Sequence, residues 1–380
     1  MSHWPVKILG DHARTTSGAT PSRDNASYWH KAEIPWVKTG EIDFLPITTA
    51  KESISEKAIN ECSLTLLPEN SVLIAIIGEG KTRGRSAVLE IEATTNQNCF
   101  AILPNETWDS NFLQLWLRSQ YDYLRNLSSA RGGSQSALNG AQLNALKIPA
   151  PDREEQRRIA TCLKAQLAEV ETARQAAQTQ LKEISRLAHA IVVESVRRSS
   201  TSAMSLRKVL AEVRHGIGAN WTSYPVLGAT RDGLAPAKER PGKQATKYKP
   251  VTPGTVFYNP MRILIGSIAY VDDDDTPGIT SPDYVALQGK PDVVDSRWFY
   301  HWLRSPLGVR CIASLARGAV RERMLFNRLA EGTIDLPTLA VQRSASAALK
   351  ELRPVRAAIE KKLQDIEMLP QRLLAQAFEK

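Results

Sequence analysis

The sequence predicts an α+β fold with an internal pseudo-two-fold duplication: two mixed α/β units alternating with two long helices that pair as an antiparallel coiled coil. Three observations lead there. Landmarks recur in order half a chain apart, each half opens with short strand-like runs before its helices, and each half closes on a long stretch with a heptad-like apolar seam.

The recurrence is read residue by residue. Asp109-Ser110 and Trp116-Leu117-Arg118-Ser119 superpose on Asp295-Ser296 and Trp302-Leu303-Arg304-Ser305 at an offset of 186 residues. The same offset places Ala130-Arg131-Gly132 on Ala316-Arg317-Gly318 and Gln156-Arg157 on Gln342-Arg343, and a two-residue shift aligns Ile148-Pro149 with Leu336-Pro337. Within each half, β-like runs come first: Ser71–Ile77 and Ser86–Ile91, then Thr255–Tyr258 and Ile263–Val271, punctuated by Gly, Pro and Asn. Helices with an apolar face follow over Asp109–Leu127 and Ser296–Leu315, then a Gly- or Arg-rich loop and an Ile/Leu-Pro step. The expected organisation is a first unit over 1–150, a helix over 151–200, a second unit over 201–338 and a closing helix over 339–380.

Glu154 to Arg197 holds neither Gly nor Pro, and Leu163, Leu167, Val170, Ala177, Leu181, Ile184, Ala188 and Ile191 recur at steps of three and four, broken at Arg174. At 1.5 Å per residue such a helix runs on the order of 65 Å. Its counterpart carries Leu349, Leu352, Val355, Ile359, Leu363, Ile366 and Leu373, with Pro354 and Pro370 expected to kink or break it. Helices this long and polar need a partner, so each stripe is expected to bury the other. Two core helices of separate domains are the alternative.

Apolar residues make up 42% and charged residues 23% of 380, the balance of a globular chain rather than a disordered one. No apolar run approaches the roughly 20 residues of a membrane span, and Met1–Gly10 lacks the pattern of a signal peptide. Cys62, Cys99, Cys162 and Cys311 are scattered without a CxxC pair, so neither a zinc site nor a disulfide framework is expected and a reducing cytoplasm is the simplest home. The 49 basic against 40 acidic residues favour a polyanionic partner.

Several motifs resemble active-site elements without the context they need. Ala75–Thr82 approaches a phosphate loop, but Arg83–Ile91 reads as basic and then strand-like where a helix N-terminus is required. A basic hairpin with Lys81, Arg83 and Arg85 at its tip is the better reading. Asp283, Gln288 and Lys290 approach a nuclease core but crowd the first two groups, and Asp272–Asp275 reads as a solvated turn more readily than as a cation site. Asn259-Pro260-Met261 begins like an amino-methyltransferase motif without its second proline and aromatic. The six histidines show no metal-ligand spacing. Basic residues gather instead in the expected loops, where Arg forks and Gln or Asn amides are suited to base edges and Lys to phosphate.

Further stretches stand out in order: Ile34–Ile42, Gly80–Gly84, Thr95–Asn98, Ser134–Asn139 and Ile148–Pro151 with Glu155-Gln156 in the first half, then Val256–Arg262, Gly266–Ile268 and Gly278–Tyr284 in the second. In these stretches the chain resembles the specificity (S) subunits of type I restriction–modification systems. The resemblance implies two target-recognition domains, each reading one half of an interrupted, asymmetric double-stranded DNA target, and two helices acting as a spacer. It further implies a non-catalytic chain without a cofactor of its own. Two methyltransferase (M) subunits would bring S-adenosylmethionine, and restriction (R) subunits, where present, ATP and Mg2+. Alternatives are a DNA-binding adaptor of another defence complex, a metal-dependent nuclease and a coiled-coil scaffold. The first half-site is expected to meet Lys81, Arg83, Arg85, Arg131 and Gln135, and the second Arg231, Lys238, Lys243, Arg262, Arg317 and Arg321. Gln156, Leu163, Leu167, Val170, Leu181, Ile184, Leu349, Leu352, Ile359, Leu363 and Ile366 are expected to form the spacer and subunit-docking helices. Two departures break the symmetry: Ala340-Val341 stands where Glu154-Glu155 is, and only the second helix carries prolines.

Overall fold

A computed structural model describes residues 4–30, 32–78, 80–129, 137–238, 241–242, 244–316 and 323–378. The chain divides into two compact units, Met1–Gln175 with Gln364–Lys380, and Ala176–Leu363. The unit boundaries therefore fall inside the two long helices rather than at their ends. Each unit takes in part of each helix.

In the first unit, Val72–Ala75 lies between Cys99–Ile102 and Ser86–Val88, with Thr15–Ser17 on the outer edge, all antiparallel. Every residue of Val72–Ala75, Cys99–Ile102 and Ser86–Val88 is buried, which is why they read as unbroken apolar runs rather than alternating ones. A second sheet pairs Ile34–Val37 with Glu52–Ile54 and, in parallel, with Thr94–Thr95. The helix Ser110–Ser119 packs on the first sheet, its N-terminus capped by Asp109, whose carboxylate accepts from Asn111 N at 3.0 Å and Phe112 N at 3.2 Å. It ends at Gln120, and Tyr121–Ser129 follows as a separate helix. A ribbon of Val6–Ile8 with Lys147–Pro149 closes the unit.

The second unit has a sheet in the same order: Leu210–Glu212, Val285–Gly289, Val256–Tyr258, Ile268–Tyr270. Asp295 caps Ser296–Arg304, and Pro306 starts a second helix over Pro306–Leu315, so the single helix expected here is two. The ribbon Ser202–Ser205 with Thr333–Leu336 stands where the first unit has its own. Ile263–Ile265, expected as strand, is a 3-10 turn ended by Gly266 in the left-handed region (φ +87°), and the strand begins only at Ile268.

The first long helix covers Arg153–Arg197 and the second Leu339–Phe378. Of the kink or break expected at Pro354 and Pro370, no break occurs: the second helix runs on through both. Burial of Leu349 ahead of Pro354, and of Ile366 and Leu374 around Pro370, holds the backbone helical across each missing amide. No helix among the described residues is long and apolar enough to cross a membrane, and all four cysteines are free thiols.

Candidate nucleic-acid interface

Each unit ends its central hairpin in a loop that the rest of the unit grips. In the first, the loop spans 76–85; Tyr121 Oη donates to Lys81 O at 2.6 Å and an Arg125 NH group to Arg83 O at 3.2 Å. In the second it spans 259–267, where Arg304 donates to Gly266 O at 3.2 Å and Ile268 O at 3.0 Å. The chain re-entering from the Gly- or Arg-rich segment is tied to the same loop in both units. Leu138 N donates to Ile76 O at 2.9 Å and Met324 N to Pro260 O at 3.0 Å. Two hairpin loops, one carrying Lys81 and the other Arg262, are thus tied to the residues that follow the Gly- or Arg-rich segments.

The predicted contact residues fall into three groups. Lys81 is exposed at the hairpin tip, and Lys238, Arg231 and Arg262 are exposed in the second unit. Arg231 Nε donates to Ile265 O at 3.2 Å, which brings Arg231 and Arg262 to one turn. Arg83, expected at the tip, is instead buried, and Arg85 is bonded to Asp43 with its guanidinium 5.8 Å from the Phe44 ring. These two arginines serve the loop's own structure rather than presenting themselves. Arg131, Gln135, Lys243, Arg317 and Arg321 lie outside the described residues. Of the residues that grip the loops, Tyr121 and Arg125 escaped the sequence reading and Arg304 stood out only in the recurrence, because a helix face gives no sign of which backbone carbonyl it will meet.

The carboxylates that could suggest a nuclease are committed elsewhere. Arg297 binds both oxygens of Asp272 and reaches Asp273 at 2.7 Å. Arg353 lies 3.4 Å from Asp272 and is bonded to Asp275, and Lys350 reaches Asp273 at 3.2 Å. Burial alone would raise the Asp272 carboxyl, but hydrogen bonds from Arg297 and the Asp273 amide outweigh it and hold the group below its ordinary value. Asp283 pairs with Arg323 at 3.2 Å, and Gln288 donates to Thr255 Oγ1 at 3.1 Å. Among the described residues no cluster of three or more His, Cys, Asp or Glu could hold a metal. Burial pushes the Cys99 thiol up to about 12 and, with the charges of Arg304 and Arg297, the His301 imidazole down to about 3. Both groups are therefore neutral at pH 7.

Gln156, expected in the spacer and subunit-docking helices, is fully buried. Its Oε1 accepts from Asp109 N at 2.7 Å, while its Nε2 donates to Thr107 O at 2.9 Å and Pro151 O at 2.8 Å. Gln342 does the same with Asp295 N (2.9 Å), Val293 O (3.2 Å) and Pro337 O (2.8 Å). Each glutamine locks the first turn of a long helix to the cap of the helix that packs on the sheet. In the first unit Leu163 and Leu167 share a core with Leu373, Leu374 and Phe378 of the other long helix. In the second, Ala188 and Val192 share one with Ala345, Leu349 and Leu352. Ile366 is buried, whereas Val170, Leu181, Ile184, Ile359 and Leu363 are half-buried.

The class of protein that this fold defines is a two-unit α+β scaffold built on long helices. Residues 1–182 match the family model described as type I restriction modification DNA specificity domain. The chain is 31% identical over 165 residues to the type I restriction enzyme MjaIX specificity subunit of Methanocaldococcus jannaschii, covering 42% of this chain and 37% of that one. It is 27% identical over 158 residues to the EcoR124I/EcoR124II specificity subunit of Escherichia coli, covering 41% and 39%. The matched stretch thus spans less than two fifths of either relative's own length. Among solved structures, a chain from work on complex assembly and conformational transition of the type I R-M system aligns over 100% of this chain and 98% of that one, with a TM-score of 0.70 at 18% identity. The HsdS subunit from Thermoanaerobacter tengcongensis aligns over 99% and 96%, with a TM-score of 0.54 at 18% identity. At that identity the likeness speaks for the fold alone. The similarity to type I restriction specificity subunits is thus carried in sequence by residues 1–182.

Proposed function

We propose that this chain is the DNA sequence-recognition subunit of a type I restriction–modification complex. It reads a bipartite, asymmetric double-stranded DNA target and positions two methyltransferase subunits and, where present, restriction subunits. It performs no catalysis itself; S-adenosylmethionine belongs to the methyltransferase partners, and ATP and Mg2+ to restriction partners. The observation that carries this reading is the recurrence, in the second unit, of the loop anchorage and glutamine clamp of the first, whose residues match a DNA specificity domain. Every member of the clamp lies 186 residues from its counterpart, which supports an internal duplication. In each unit the start of one long helix shares a core with the end of the other, which supports antiparallel pairing. The target-recognition domains are then 1–150 and 201–338, and the helices 151–200 and 339–380 are the spacers.

The test is modified-base sequencing of DNA from cells expressing this chain with its methyltransferase subunit. The expected result is adenine methylation at one interrupted motif, absent without the chain. No chain-dependent methylation with an active, bound methyltransferase would favour the adaptor reading.

The spacer makes a second prediction. Leu163 to Leu181 spans 18 residues and Leu349 to Leu363 spans 14. Four residues are one helical turn, about 6 Å, against about 3.4 Å per base pair. Deleting four residues within Gln166–Gln180 is expected to shorten the gap of the methylated motif by one or two base pairs, while both half-sites stay the same. An unchanged gap in the sequencing data would show that this segment does not set it.

A further inference from the structure

The turn that carries Arg262 is apolar where a surface loop should be polar. Met261, Leu264 and Ile265 are 49%, 55% and 57% exposed, three large apolar side chains within five residues. Such a cluster at a loop tip is a binding feature far more often than an accident of packing. The tip is also rigid. Ile263 is buried in the core beneath it, Gly266 closes it in the left-handed region, and guanidinium groups bond its carbonyls: Arg231 at Ile265 O and Arg304 at Gly266 O. A preorganised apolar tip loses little freedom when it inserts into a partner.

Its surroundings select the partner. Arg262 is in the turn, Arg231 is bonded to it, and Arg323 precedes the residue whose amide donates to Pro260 O. Among the described residues, the exposed carboxylates beside these arginines are Asp232, next to Arg231, and Asp283, paired with Arg323. Apolar side chains ringed by arginine are complementary to duplex DNA, where Leu, Ile, Met and Pro wedge between base steps while arginines hold the flanking phosphates. We propose that Met261, Leu264 and Ile265 form a wedge that inserts into the second half-site and unstacks a base step there. The proposal rests on the DNA-recognition reading and adds to it a means of specificity. Flexible pyrimidine–purine steps open most readily, so the wedge would favour them without reading a base edge.

The test uses the full-length chain in complex with its methyltransferase subunit. The probes are a duplex carrying the motif that methylation sequencing returns and a duplex with the second half-site scrambled. Leu264→Ser with Ile265→Ser alters exposed side chains, and an unchanged melting temperature verifies the fold. The expected result is at least a ten-fold loss of affinity for the motif duplex. The scrambled duplex and the salt dependence should be unaffected, since no phosphate contact is removed. 2-Aminopurine scanned through the second half-site should brighten with the wild-type complex and not with the variant. Arg262→Ala, in contrast, should weaken both duplexes and lower the salt slope. Unchanged affinity for the motif duplex would overturn the wedge, as would loss of the methyltransferase subunit from the complex, which would mark a protein-docking surface. A wild-type complex that does not distinguish the duplexes would overturn the recognition reading itself, and the wedge with it.

Discussion

Gln156→Ala is expected to destabilise the first unit by about 2–5 kcal/mol, because it strands one backbone N–H and two carbonyls around a fully buried site. For a unit of this size that is a fall in Tm of roughly 5–15 °C. Gln342→Ala should do the same in the second unit, where the 3.2 Å bond to Val293 is the longest of the six and the loss correspondingly smaller. The loss should also be local. Amide exchange should quicken in Ser110–Ser119 for the first variant and in Ser296–Arg304 for the second, since each clamp fixes the cap of that helix. Gln156→Glu is the sharper variant. An ionised carboxylate accepts from Asp109 N but has no hydrogen for Thr107 O or Pro151 O. The protonated acid restores one donor, so the folded state raises this carboxyl's pKa. Stability retained by the variant at low pH is then lost as pH rises through that raised value. Equal Tm loss at pH 5 and pH 8 would show that the two carbonyls do not depend on the glutamine's N–H groups.

The same residue shows what the sequence could and could not reveal. Gln156 and Gln342 aligned in the recurrence, so their equivalence was legible; their burial was not. A glutamine in the first turn of a polar helix has no local sign that three backbone groups from two other segments will converge on it. The long helices were legible because their signal is local, a repeat of three and four sustained over many turns. That neither proline breaks its helix was hidden for the complementary reason. A missing amide is a local cost, whereas the burial of Leu349 and Ile366 that outweighs it comes from distant segments. In the candidate site, Lys81, Arg231 and Arg262 were chosen from charge alone, and the structure leaves all three exposed. Arg83 was misplaced because charge does not report burial, and the apolar turn at Ile263–Ile265 was read as strand because its three residues are good strand formers.

Arg297→Met should be the most damaging single change in the second unit outside its apolar core. The Asp272 side chain is 7% exposed and Arg297 12%, so removing the guanidinium leaves a buried carboxylate facing only Arg353 at 3.4 Å and the Asp273 amide. Breaking a buried pair in this way costs about 3–5 kcal/mol, with the lower end expected because Arg353 remains. The pH dependence separates this from a simple packing loss. Asp273 is held below its ordinary value by hydrogen bonds from Arg297 and Lys350, as Asp272 is by Arg297 and the Asp273 amide once its burial is outweighed. Groups whose folded pKa is depressed contribute stability that is full above the unfolded value, about 3.9, and is lost as pH falls through the lower folded value. Wild-type stability should therefore drop steeply below about pH 4, and the Arg297→Met curve should begin lower at pH 7 and fall less. Asp272→Asn alone should be milder, since an amide oxygen still accepts from Arg297. Combined with Arg297→Met it should recover part of the loss, because no unpaired buried charge is left. If the double variant were as unstable as the sum of the singles, the two side chains would not be coupled and the acidic turn would be what its sequence first suggested, a solvated surface loop.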